Sequence, residues 1–133
     1  LLAATEMGKR LVSFKINPDC ILSSPAKRAI STAELIAREY QNNIKIIEES
    51  KLYHASTSLL LQVVNQVSND YNRVFLVGHN PGLTDFAEYL SNQHFENLPT
   101  AAAVGIRFEF DDWSLISGST GEIILYDFPK NLH

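Results

Sequence analysis

The stretch Val74-Phe75-Leu76-Val77-Gly78-His79-Asn80-Pro81-Gly82-Leu83 decides how this chain folds. Its four consecutive apolar residues have the length of a strand buried on both faces, and Leu83, Phe86, Ala87 and Leu90 then follow the 3.6-residue period of a helix. A strand running almost directly into a helix is a building block of a parallel sheet, and open α/β sheets bind ligands at the carboxyl ends of their strands. His79 stands at such an end, beside a helix N-terminus that favours anions. The reading is a phosphate site. Taken alone, the histidine also fits a plain strand cap, so its neighbours have to decide.

Working outward, Cys20-Ile21-Leu22 reads as a short buried strand, and Ser23-Ser24-Pro25 as a helix start with Ser24 as N-cap and Pro25 at the first helical position. That helix runs through Ala29, Ile30, Ala33, Ile36, Ala37 and Tyr40 to an end near Gln41-Asn42-Asn43. Ile44 to Ile47 is a second apolar run, and Leu60, Val63, Val64 and Val67 mark a further helix. Upstream, Ala4, Met7, Leu11 and Phe14 recur at helical spacing. Downstream, Ile106, Phe108 and Phe110 alternate with charged residues, a short strand is expected around Trp113 to Ile116, and Ile124, Tyr126 and Phe128 alternate again. The order predicts an α/β fold: a three-layer αβα sandwich whose sheet is mostly parallel, with antiparallel C-terminal strands.

A chain of 133 residues is one domain by length, spanning 1–133. Its net charge is −4 and its eleven basic residues are dispersed, which argues against nucleic acid as a partner; any anion must be held locally. No apolar run has the length of a membrane span, so no membrane is expected. Cys20, the single cysteine, reads as a core residue. No Cys/His spacing fits a metal site, the six glycines form neither GxGxxG nor a Walker loop, and no cofactor is expected. The expected setting is the cytoplasm.

Two junctions share one design, Ser23-Ser24-Pro25-Ala26-Lys27-Arg28 and Gly78-His79-Asn80-Pro81-Gly82: a strand ends, a polar residue follows, and a proline opens a helix. In a parallel sheet both lie on the same edge. Arg28 and His79 are therefore expected to face one pocket, where guanidinium, imidazolium and backbone amides meet the spread charge of a transferring phosphoryl group.

These residues carry a resemblance. Ile21-Leu22-Ser23-Ser24-Pro25-Ala26-Lys27-Arg28-Ala29 with Thr32-Ala33-Glu34-Leu35, then Leu52-Tyr53-His54-Ala55-Ser56, then Leu76 to Leu83, and finally Asn97-Leu98-Pro99-Thr100-Ala101 resemble the SixA-type phosphohistidine phosphatases. Those belong to the histidine phosphatase superfamily, whose fold is like phosphoglycerate mutase. The resemblance runs in register from about Met7 to the C-terminus. It implies a two-histidine mechanism in which a nucleophilic histidine takes the phosphoryl group and water then hydrolyses the phosphohistidine. By it, Arg28 is the arginine that binds phosphoryl oxygens and His79 the second histidine, which stabilises their charge. The family's nucleophile lies in an Arg-His pair at the end of a first strand. No Arg-His dipeptide occurs here, and the expectation is that the sequence begins inside the domain, with that strand upstream and the fragment itself inactive.

Other residues are supporting candidates. Asn80 and Ser24 are expected to bind substrate, and Thr32 to hydrogen-bond either Arg28 or its own helix. His54 is a possible proton donor or a plain loop residue. His94 and His133 are assigned no role. The expected partner is a phosphorylated protein carrying phosphohistidine, or a small phosphorylated metabolite. Two alternatives stand beside the phosphohistidine phosphatase: a non-catalytic phospho-ligand binding module, and a small-molecule phosphomonoesterase of the same superfamily.

Overall fold

The computed structural model describes residues 2–96 and 98–131. Asn97, the first residue of the last resembling motif, and His133 lie outside them. Helix α1 (Leu2–Ser13) leads to strand β1 (Cys20–Ser23), α2 (Lys27–Arg38), β2 (Ile46–Glu48), a 3-10 turn (Ser50–Leu52), α3 (Thr57–Asn65), β3 (Val74–Val77) and α4 (Gly82–Ser91). Strand β4 (Ala103–Phe108), a second 3-10 turn (Trp113–Leu115) and β5 (Gly121–Asp127) complete the order.

Strand β1 is central in a parallel sheet of order β2-β1-β3, in which Ser23 sits opposite both Glu48 and Val77. All four of its residues are buried. The alternation of a strand distributes them to opposite faces. Cys20 and Leu22, with Val74 and Leu76 of β3, pack under α3 and α4, whereas Ile21, with Phe75 and Val77, packs under α1 and α2. Helices thus cover both faces of the sheet. Each fully buried side chain such as Ile21 or Leu52 stabilises the fold by roughly 2 kcal/mol from transfer alone.

Hydrogen bonds at both ends fix the β1–β3 register. At one end Asp19 donates its N–H to the carbonyl of Arg73 (2.7 Å), and its carboxylate accepts from the N–H groups of Asn72 and Arg73. At the other, Ser24 N–H reaches the Val77 carbonyl at 2.9 Å. The ladder therefore runs one residue past β1, to the edge from which both strand–helix junctions emerge.

Strands β4 and β5 pair antiparallel, with an irregularity between Gly105 and Ile106, and form a two-stranded sheet of their own. Among the described residues no ladder joins β4 to β3. Side chains make the connection instead: Ile106 and Phe108 join the α3/α4 core, and Ala103 and Leu125 join the α1/α2 core. Arg10 of α1 also holds the carboxylate of Asp127, which is 1% exposed, and the carbonyls of Phe128 (2.8 Å) and Pro129 (2.7 Å).

Several boundaries differ from the sequence reading. The residues expected as a strand around Trp113 to Ile116 form a 3-10 turn, because the Asp112 carboxylate accepts from Ser114 N–H and Oγ–H and the Trp113 indole donates to the Tyr71 carbonyl. These bonds coil the chain rather than extend it. Helix α2 starts at Lys27, with Ala26 as N-cap, so neither Ser24 nor Pro25 holds the expected helical position. Ser24 is still bonded to the sheet through its N–H, which postpones the first helical bond, Ile30 N–H to Ala26 O, by two residues. No helix among the described residues is long and apolar enough to cross a membrane.

Candidate functional site

The site edge is built where β1 and β3 end side by side. Ser24 is fully buried there, and its hydroxyl lies 2.8 Å from His79 Nε2 and accepts from the N–H of Ala26 at 3.3 Å. Burial keeps Ser24 from solvent. Its hydroxyl thus anchors the imidazole from beneath the surface.

On the neighbouring junction, the carbonyl of His79 accepts from Leu83 N–H at 2.9 Å and begins the helical bonding of α4. The Asn80–Pro81 peptide is cis. The side chain of Asn80 turns to its own helix: Oδ1 accepts from the N–H and the hydroxyl of Thr84, the latter at 2.8 Å. This is N-terminal capping. What Asn80 leaves for a ligand is its backbone N–H, which, like that of Gly82, has no partner among the described residues.

Arg28 occupies the first turn of α2, is exposed, and makes no side-chain hydrogen bond or ion pair among the described residues. The backbone N–H groups of Lys27 and Arg28 are likewise without protein partners, as the start of a helix leaves them. Two helix N-termini and a guanidinium therefore sit at the same end of adjacent parallel strands. Among the described residues Thr32 bonds neither the Arg28 guanidinium nor a carbonyl of its own helix through its hydroxyl.

Sequence reasoning missed the aromatic wall beside His79. The ring of Tyr53, half exposed, stands edge-on to His79 with centroids 5.4 Å apart and planes at 83°, and contacts His54 at 4.2 Å. The two imidazoles are 6.1 Å apart, so His54 lies beside His79. Its backbone has φ 50, a left-handed conformation uncommon outside glycine. The one signal available was the adjacency Tyr53-His54. His94 is a surface residue, its Nδ1 2.9 Å from Glu88 Oε2, at the far side of a cleft of about 440 Å³ that Asn80 and Thr84 also line. No cluster of three or more metal-ligating side chains occurs among the described residues.

The fold has counterparts in solved structures. A protein assigned as the phosphohistidine phosphatase SixA of Agrobacterium tumefaciens superposes with a TM-score of 0.77 at 20% identity, over 96% of this chain and 79% of that one. The protein histidine phosphatase SixA complexed with tungstate gives a TM-score of 0.79 at 18% identity, with the same coverage. This chain has the SixA fold. A third SixA structure, assigned as a phosphohistidine phosphatase of Nakamurella multipartitia, agrees at a TM-score of 0.76, with 16% identity over 97% of this chain and 81% of that one. The sequence profile of the histidine phosphatase superfamily (branch 1) matches residues 2–56, which include Ser24, Arg28, Tyr53 and His54. The search of curated proteins finds no match. The SixA fold thus has its parallel β2-β1-β3 sheet here, with an antiparallel β4–β5 pair, as the order of elements predicted.

Proposed function

We propose that residues 1–133 belong to a single histidine phosphatase domain and that the full-length protein acts on phosphohistidine through a phosphorylated histidine of its own. The observation that carries the reading is the tether between Ser24 Oγ and His79 Nε2. It holds an imidazole where two helix N-termini and the exposed Arg28 share one sheet edge. Cationic groups and unsatisfied N–H donors in this arrangement neutralise the three equatorial oxygens of a transferring phosphoryl group, which is most of what catalysis of that transfer requires.

In this reading Arg28 takes two phosphoryl oxygens through its planar fork, and His79 stabilises the charge on them. The nucleophilic nitrogen attacks phosphorus as the bond to the leaving nitrogen breaks. The leaving nitrogen gains a proton, from water or from His54, and water then attacks the phosphohistidine to release inorganic phosphate. By the resemblance the nucleophile belongs to an Arg-His pair ending a further strand. A cytoplasmic setting and a phosphorylated protein partner belong to the same reading. The short loops, with no large insertion between strands and helices, favour an open site and a protein substrate over a small metabolite.

The test is phosphate release by the full-length protein from a histidine-phosphorylated carrier protein, measured beside a panel of sugar phosphates and nucleotides. Turnover of the carrier that is lost in Arg28→Ala and His79→Ala supports the assignment. An untouched carrier with rapid sugar-phosphate hydrolysis makes the protein a small-molecule phosphomonoesterase, and phosphate binding without turnover makes it a binding module.

A further inference from the structure

We infer that Tyr53 is a positioning residue for His79: its ring fixes the plane of the imidazole that faces the phosphoryl group. The inference rests on the proposed role of His79 in charge stabilisation. It adds a residue to which neither the sequence pattern nor the comparisons give a function.

One hydrogen bond cannot orient an imidazole. The contact between His79 Nε2 and Ser24 Oγ fixes one ring atom, and the ring can still swing about that point. A second constraint is needed on the ring's body, and Tyr53 supplies it: the two rings meet edge to face at 83°, the arrangement that the quadrupole of an aromatic ring favours.

Tyr53 constrains only if it is itself held. Leu52, 2% exposed, anchors the preceding residue in the α3/α4 core, and Ala55 packs against the same core two residues later. His54 closes the tight turn between them in its left-handed conformation and packs its ring on Tyr53. The loop is also pressed onto the start of α4, since a Cβ on Gly82 would meet the carbonyl oxygen of Ala55 at 2.9 Å. Gly82 follows His79 by one turn. Thus the loop that carries Tyr53 and the helix that follows His79 are set against each other by backbone contact, and a phenol only half covered by protein is still fixed in direction.

The experiment pairs kinetics on a histidine-phosphorylated peptide with NMR of the His79 imidazole C–H resonances in the full-length protein, for wild type, Tyr53→Leu, Tyr53→Phe and His79→Ala. Tyr53→Leu, which keeps bulk but removes the ring, is expected to lower kcat about tenfold with KM little changed, and to shift the His79 resonances through lost ring current. Tyr53→Phe, which keeps the ring, is expected to restore most of both. Unchanged kcat with unmoved resonances in Tyr53→Leu overturns the inference. So does a rise in KM with kcat intact, which would make Tyr53 a substrate contact. Full activity in His79→Ala defeats the phosphatase reading itself, whereas loss in His79→Ala with none in Tyr53→Leu defeats only the role given to Tyr53.

Discussion

Ser24 Oγ and His79 Nε2, the first residue past β1 and the second past β3, lie 2.8 Å apart on neighbouring parallel strands. Ser24→Ala removes this tether and the acceptor for Ala26 N–H together. The expected outcome is a loss of about 1 kcal/mol in stability, seen as a lower urea midpoint, with a much larger proportional loss in phosphatase turnover. A variant that loses stability but keeps full turnover would show that the hydroxyl serves only the fold.

Arg28 should behave oppositely. Because its side chain is exposed and unpaired among the described residues, Arg28→Ala is expected to leave thermal stability within about 0.5 kcal/mol of wild type. Inorganic phosphate or tungstate binding, followed by calorimetry, should weaken by at least about tenfold, and Arg28→Lys should recover only part of it because an ammonium cannot form the paired bonds of a guanidinium.

Gly82 is required by proximity rather than by an unusual backbone angle. A methyl group there meets the Ala55 carbonyl at 2.9 Å, a backbone atom that cannot simply rotate away. Gly82→Ala is expected to displace the Tyr53–Ala55 loop, lowering turnover while the helix itself forms normally. A crystal structure or NMR shift map of the variant should show changes concentrated at residues 53–55 and 79, and unaltered shifts there would refute the contact.

Tyr40 gives the fold an alkaline limb. Burial, opposed weakly by Arg73, pushes its phenol from 10.0 up to about 12, and its hydroxyl donates to the Ile16 carbonyl at 2.6 Å. The folded state therefore favours the protonated phenol. The resulting stability is fully present below 10.0, the ordinary value, and is lost as pH rises through about 12. Urea midpoints measured from about pH 9 upward should fall in wild type, and Tyr40→Phe should flatten that fall. An identical slope in the variant would mean another group controls it.

Much of this architecture is legible because each junction writes its own signal. Val74 to Val77 is apolar enough for a strand shielded on both sides, and a proline near each helix start separates strand from helix within a few residues. From those signals the parallel order and the sharing of one edge by Arg28 and His79 follow without coordinates. Two kinds of information were not local. The use of the Asn80 and Ser24 side chains depended on what lay opposite them: Thr84 one turn along the helix in one case, His79 on the next strand in the other. Tyr53 was hidden because a tyrosine in a loop has no period, and only the fold shows that its ring meets an imidazole twenty-six positions later in the chain. The Trp113 segment was misread for a related reason, its apolar residues resembling a strand while the Asp112 carboxylate curls it into a turn.

The separation of the β4–β5 pair from the parallel trio has a dynamic corollary. Side chains and the Arg10 clamp fasten it, while among the described residues its ladder closes upon itself, so the pair is expected to open as a unit without breaking the hydrogen bonds that align Ser24 with His79. Amide exchange should accordingly report two protection classes, with Gly121–Asp127 released before Cys20–Ser23. The edge that carries Ser24 and His79 then outlasts the hairpin on the unfolding pathway.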